Sequence, residues 1–335
     1  MKLFLSVVGL IALVANVPAQ PSNVVANASA TNSGSIVATN APASTNELLE
    51  AKLRIIMLKD EMAQTEVDKW IRDNQAFAEK GAGIPPKELN QKILKRFEPV
   101  RTAYEDFIKR HPKHVEARLA YASFLSDIYD EEGEKEQLLA AKELDPSRPS
   151  IWNNLANYYG HNGEVRTAFT HYEKAIELDP NESVYYHNFG TTVYLFRRDV
   201  EAHYHINEQQ VFDKALTLYS NSMRLDPTNF PLAIDVAQSY YGIKPTRLED
   251  ALVAWTNAMK IAKTDLERQS VHVHLARMKL SAERFSEARA HIGQVKEPML
   301  EELRVRLVGN IDSQEAKAHG TNAPPSTATN APPAK

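Results

Sequence analysis

The chain has no cysteine among its 335 residues, which excludes disulfides, thiolate metal sites and cysteine nucleophiles. A folded body of this size must then be held by packing alone. Glycine is scarce at 12 residues and leaves few tight turns of the kind that build active sites. The sequence contains no G-x-S-x-G, no Gly-rich phosphate loop and no H-E-x-x-H, so it is expected to be no enzyme and to carry no cofactor. A strong charge of one sign is also lacking: a net charge of -4 gives no general attraction to nucleic acid. What remains is 43% hydrophobic and 24% charged, enough for one elongated domain with tails.

The first nineteen residues carry one Lys, an apolar run from Leu3 to Ala15, and the small-residue pair Val17-x-Ala19 at a cleavage position. This is the pattern of a secretory signal peptide. The run gives about 20 Å of helix, short of a ~30 Å hydrocarbon core, so no integral span is expected once the leader is removed. An uncleaved anchor is the alternative. An exported protein is expected, periplasmic first and extracellular second. Residues 20–46 are small, polar and uncharged, and 319–335 repeat Thr-Asn-Ala-Pro-Pro at Thr321 and Thr329. Both are expected to be disordered tethers, because they cannot bury enough apolar area to offset chain entropy. Asn27-Ala-Ser and Asn181-Glu-Ser match the glycosylation acceptor pattern, which matters only in a eukaryotic secretory route.

An internal ruler organises the middle. Leu144-Asp-Pro146 and Leu178-Asp-Pro180 stand 34 residues apart, and Leu225-Asp-Pro227 follows after 47, which is the same step with an insertion of 13. Within the unit from Pro149, Trp152, Leu155, Ala156 and Tyr159 share one helical face, and Ala168, Tyr172 and Ala175 mark a second helix. The small residues let the two helices approach, Gly163 allows the turn between them, and Pro180 ends the second.

These residues resemble the tetratricopeptide repeat (TPR) family, with Ala156 in place of its Gly. The register continues through Tyr121, Ala122, Leu125, Leu138 and Ala141 before this unit, and Tyr186, Phe189, Gly190, Ala215 and Tyr219 after it. Weaker units follow at Val236, Ala237, Tyr240, Ala251, Trp255 and Ala258, then at Leu275, Ala276, Ala288, Ile292 and Val295. The resemblance implies an all-α, TPR-type helical-hairpin solenoid, a right-handed superhelix, over residues 81–296. Its repeats are expected at about 81–114, 115–148, 149–182, 183–229 with the insertion, 230–266 and 267–299. Tyr104 and Phe107 would lie on the second helix of a degenerate opening half-repeat.

Two helices are expected outside the array. One spans 47–80 with apolar residues at Leu49, Leu53, Ile56, Ala63, Val67, Trp70 and Phe77, interrupted by Asp60 and Asn74. It can pack on the array or self-associate as a coiled coil, making a homo-oligomer. The other, over 297–318, is mostly polar.

In the family, the first helices line a concave face that binds protein or extended peptide. By resemblance that face carries Asn154, Asn188, Asp235 and His274, and one position past the small residue Asn157, Thr191, Gln238 and Arg277. An asparagine ladder could hold a peptide main chain; the same residues could instead bond across helices or face water. The cation-based carboxylate clamp of some relatives is not expected, since Asn and Asp stand where it needs cations. In the insertion, Phe196, Arg197, Arg198 and Tyr204 are either interface anchors or part of a lengthened hairpin with the aromatics buried. The H-x-H pairs His203/His205 and His272/His274 point about 200° apart on a helix, so no metal site is expected. The functional expectation is a non-enzymatic binding scaffold of the cell envelope, with an oligomeric spacer built on the 47–80 helix as the alternative.

Overall fold

The computed structural model describes residues 45–320; the expected leader, the 20–44 tether and the tail from residue 321 lie outside the described residues. The described residues contain fourteen α-helices and no strand, and none of these helices is long and apolar enough to cross a membrane. They fall into two compact units, residues 45–192 with 198–205, and residues 193–197 with 206–320.

The first unit is a row of helical hairpins. Helix α1 (Thr45–Ala78) pairs with α2 (Pro86–Arg110), α3 (Val115–Asp127) with α4 (Glu131–Leu144), and α5 (Pro149–His161) with α6 (Val165–Leu178). Helix α7 (Ser183–Leu195) contributes its residues up to Thr192, and the short α8 (Arg197–Tyr204) its residues from Arg198. Leu53, Ile56, Ala63 and Val67 of α1 are buried with Phe97, Val100 and Tyr104 of α2 and Tyr121 and Phe124 of α3. The 47–80 helix therefore packs on the array with the apolar face expected of it, except that Phe77, beyond the contact, is 56% exposed. The two polar breaks in that face have partners. Asp60 accepts from the Tyr104 hydroxyl at 3.1 Å, and Asn74 bonds both the N–H and the C=O of Ile84, fixing the chain reversal.

One expectation needs correcting. Residues 81–114 do not form a repeat of their own but one 25-residue helix that runs through Pro99, with α1 as its hairpin partner. Pro99 removes a helix N–H, but it faces solvent, and the buried residues Phe97, Val100, Tyr104 and Phe107 hold both halves of α2 against one core.

The ruler has a bonding counterpart. Arg118, Trp152 and Tyr186, each 34 residues apart, donate to the carbonyls of Pro112, Pro146 and Pro180 at 2.8–3.1 Å. Each Leu-Asp-Pro stops a second helix. The C-cap N–H groups of Asp145 and Asp179 return to Ala141 and Ala175, and their carboxylates accept from Ser147 and Asn181 in the following turn. Gly163 has φ +82, and its 34-residue counterpart Tyr129 adopts the same left-handed conformation at φ 61 without being glycine.

In the second unit, α9 (Glu208–Leu225), α10 (Phe230–Ser239), α11 (Leu248–Ile261), α12 (Asp265–Ser281), α13 (Phe285–Ile292) and α14 (Glu301–Ala318) pack in sequence, and α14 also rests on α12. Trp255, Ala237, Ala251, Ala258 and Val271 form one core; Ala276, Ala288, Ile292, Leu307 and Ile311 form the next. The last helix begins later than expected, because residues 298–300 make a 3-10 turn before it. Gly242 sits against Tyr194, where an added Cβ would stand 2.0 Å from the hydroxyl, so a side chain here would have to displace the Tyr194 ring.

Candidate functional site

In the first unit the first helices of adjacent hairpins bring Asn154 and Asn188 into one polar chain through a residue the family register had not marked. The buried Asn153 donates to Asn154 Oδ1 at 3.3 Å, and its own Oδ1 accepts from Asn188 Nδ2 at 3.1 Å. Burial of an amide requires such partners, which accounts for Asn153 and for one donor of Asn188. Among the described residues, the Asn154 amide nitrogen and Asn188 Oδ1 have no bonding partner within the chain. A donor and an acceptor are thus left at the two ends of the ladder. Asn157 lies apart from it, accepting from the buried Tyr172 hydroxyl at 2.7 Å, which in turn accepts from Thr192. Thr191 is half-buried on the next helix.

Carboxylates flank the other end of this unit. Asp60 is raised above the ordinary carboxylate range by burial, against hydrogen bonds from Tyr104 and Gln64. Burial likewise pushes the half-buried Glu134 up to about 7, opposed by a hydrogen bond from Ser126 and aided by the charges of Asp127 and Glu131.

In the second unit the register residues separate. Asp235 is exposed and Gln238 half-buried on α10. On α12, the His274 ring stacks on Trp255 with centroids 4.2 Å apart and planes 6° from parallel, and its Nδ1 lies 3.0 Å from the Tyr241 hydroxyl. Burial first, and the charge of Arg277 second, hold His274 neutral by pulling its pKa down to about 3. His272 points elsewhere, with Nδ1 3.1 Å from Nδ1 of His291. The two members of this H-x-H pair thus serve different neighbours. No group of three or more metal-ligating side chains occurs among the described residues.

The insertion is folded into the hairpin at two of its marked residues. Tyr204 donates to Glu173 at 2.6 Å and lies 5.7 Å from the Phe169 ring, on the first unit. Arg197, in the second unit, covers the rings of Tyr194 and Phe212 and pairs with Glu208 at 3.4 Å. Phe196 is half-buried and Arg198 exposed. An open hollow of about 480 Å³ on α9, lined by Asp213, Thr217, Asn221 and Arg247, contains none of the residues marked from sequence. Its cation is already held by Asp213 at 2.6 Å.

Residues 149–182 match the tetratricopeptide repeat family. No curated protein matches the chain in sequence. Similar solved structures include MamA, at 20% identity over 51% of this chain and 92% of that one, with a TM-score of 0.40. They also include pilF of Pseudomonas aeruginosa, at 14% identity over 77% and 99% with a TM-score of 0.47. A third is YrrB, described as a TPR protein with an unusual peptide-binding site, at 14% identity over 61% and 96% with a TM-score of 0.43. The family match falls on the α5–α6 hairpin, and the same bonds recur at a 34-residue step on either side of it, so residues 149–182 are a tetratricopeptide repeat set among hairpins of the same kind.

Proposed function

We propose that the chain is a non-catalytic scaffold that binds a protein or an extended peptide, and that it works after export, in the periplasm. The observation that carries the binding reading is the asparagine chain Asn154–Asn153–Asn188, which leaves a free amide donor at one end and a free acceptor at the other. An extended main chain offers the complementary C=O and N–H groups, so such a ladder holds peptide with little regard to side chains. The leader pattern at residues 1–19 is what supports export.

The test uses peptides selected for binding to the full chain. Asn154→Asp, which removes the free amide donor, is expected to weaken them about tenfold, the ~1.4 kcal/mol of one hydrogen bond, and to leave melting nearly unchanged because the buried Asn153 keeps its acceptor. Unchanged affinity would remove the ladder from the binding site.

A second reading, an oligomeric spacer, draws on the outer face of α1. Leu48, Ile55, Leu58 and Met62 recur there at 7- and 4-3-residue spacing and are each more than half exposed. Sedimentation of the full chain with and without the selected peptide separates the two: a monomer that takes up peptide fits the scaffold, and self-association that Ile55→Lys abolishes fits the spacer.

A further inference from the structure

We propose that His272 and His291 form an acid-operated latch in the second unit, which holds α13 on α12 while the two rings share a hydrogen bond and releases it when both rings are charged. The inference goes beyond the binding reading and does not depend on it.

The contact joins two helices. His272 lies on α12 and His291 in the last turn of α13, both half-buried, with their Nδ1 atoms 3.1 Å apart and their ring centroids 5.3 Å apart. Two bare nitrogens would repel at that distance. One ring therefore donates its Nδ1–H, and the other accepts on a bare Nδ1 and carries its own hydrogen on Nε2.

Protons act on this bond in two steps. The first goes to Nε2 of the donor ring and leaves the bond in place. The second has only the accepting Nδ1 to take. Two N–H groups would then face each other on two cations, so the doubly charged pair must part. Burial is the main influence lowering both rings; the charge of His291 adds to it at His272, and at His291 Lys279 adds to it against Glu287. The open joint thus binds protons more readily than the closed one, and the latch is lost as pH falls below about 6.5.

The charged groups around the pair are themselves engaged. Lys279 of α12 holds Glu287 of α13 at 2.8 Å, and Arg284 holds the same carboxylate at 2.5 Å. These two cations, Arg284 first, keep Glu287 down at about 2, so it stays charged throughout. From α14, Asp312 and Glu315 pair with Arg289 of α13 at 2.7 and 2.5 Å, and from α11 Glu249 lies 3.6 Å from Arg284. One turn before His272, Arg268 holds Asp265 at 2.5 Å, and the neighbouring Gln269 accepts from the N–H groups of Lys296 and Glu297 at 2.6 and 2.8 Å. His274 is turned to Trp255 and takes no part. The two histidines are the side chains of this joint whose ordinary titration falls between about pH 5 and 8.

What the latch covers is apolar. Val273, Ala276 and Leu280 of α12 are buried with Ala288 and Ile292 of α13. Val273 adjoins one ring in sequence and Ile292 the other, so parting the rings loosens this seam. The seam resists, and the latch therefore sets how often the joint opens rather than melting the unit. At eight residues α13 is too short to stay helical alone, so its amide protection reports on docking directly.

Hydrogen exchange of the full chain at pH 7.5 and 5.5, corrected for intrinsic rates, reads the latch. In the wild type, α13 is expected to open about tenfold more often at the lower pH. His272→Gln and His291→Gln each leave one ring facing an amide, which can accept from it or donate to it. Either variant is expected to lose most of the dependence, changing less than about threefold. A pair that only packs would open more in the variants at both pH values and keep the dependence. Nitrogen NMR of the wild-type histidine rings supplies a reading free of any substitution: two separate titration steps and a shared Nδ1 proton at pH 7.5 are expected. Independent single-step titrations, equal opening of α13 at the two pH values, or a dependence that survives both substitutions overturns the proposal.

Discussion

In the first unit asparagines on adjacent first helices bond each other across hairpins, whereas in the second the marked His274 is tied to aromatics. Asn188 spends a donor on Asn153, and Asn157 spends its acceptor on Tyr172. His274 is instead stacked on Trp255 and bonded to Tyr241. The same hairpin thus supports an amide ladder in one unit and an aromatic clamp in the other. Family register alone marks which positions are available; the neighbouring helix decides what each one offers.

The buried ionisable groups sharpen the contrast, and acid should separate the units. Glu134 has its pKa raised in the folded first unit, so between its ordinary value and about 7 the folded state binds more protons than the unfolded chain, and its contribution to stability grows as pH falls. His161 and His171 of that unit, lowered mainly by burial, oppose it below about pH 6.5. The second unit has lowered histidines at His272, His274 and His291 and, among the described residues, no raised carboxylate to offset them. There the unfolded chain binds more protons, and stability is lost as pH falls below about 6.5. Hydrogen exchange at pH 7.5 and 5.5, corrected for intrinsic rates, should show protection in α12 and α13 dropping about tenfold more than in α3 to α6. Equal loss in both units would erase the distinction.

A smaller effect lies in the turns. Gly163 takes the left-handed conformation freely, while Tyr129, 81% exposed, and Glu283 of the second unit occupy it with side chains. Such a residue carries about 1–2 kcal/mol of strain, partly offset by the greater entropy glycine loses on folding. Tyr129→Gly is therefore expected to stabilise the first unit by roughly 0.5–1 kcal/mol in a denaturant titration. A loss of stability would mean that the exposed ring makes contacts worth more than the strain.

The hairpins were legible because their cause is periodic. Leu-Asp-Pro recurs where α4, α6 and α9 stop, and Trp152, Tyr159, Ala168 and Tyr172 mark the two faces that meet. The α1 contact was legible from its apolar spacing, but its extent was not. Asp60 and Asn74 looked like breaks, and only the fold reveals Tyr104 and the Ile84 backbone as their partners. Residues 81–114 were expected to hold a repeat because they fill one 34-residue step before the next, while packing on both sides of Pro99 keeps α2 a single helix. Asn153 was missed at the candidate site, because it lies a single residue from a marked position and carries no periodic signal.

Hydrogen exchange of the full chain with and without a selected peptide tests the central claim most directly. Protection gained along the first helices, α3, α5 and α7 in one unit or α10 and α12 in the other, is the result the scaffold account predicts. Protection confined to the exposed stripe of α1, or to the second helices α4, α6 and α11, would contradict it.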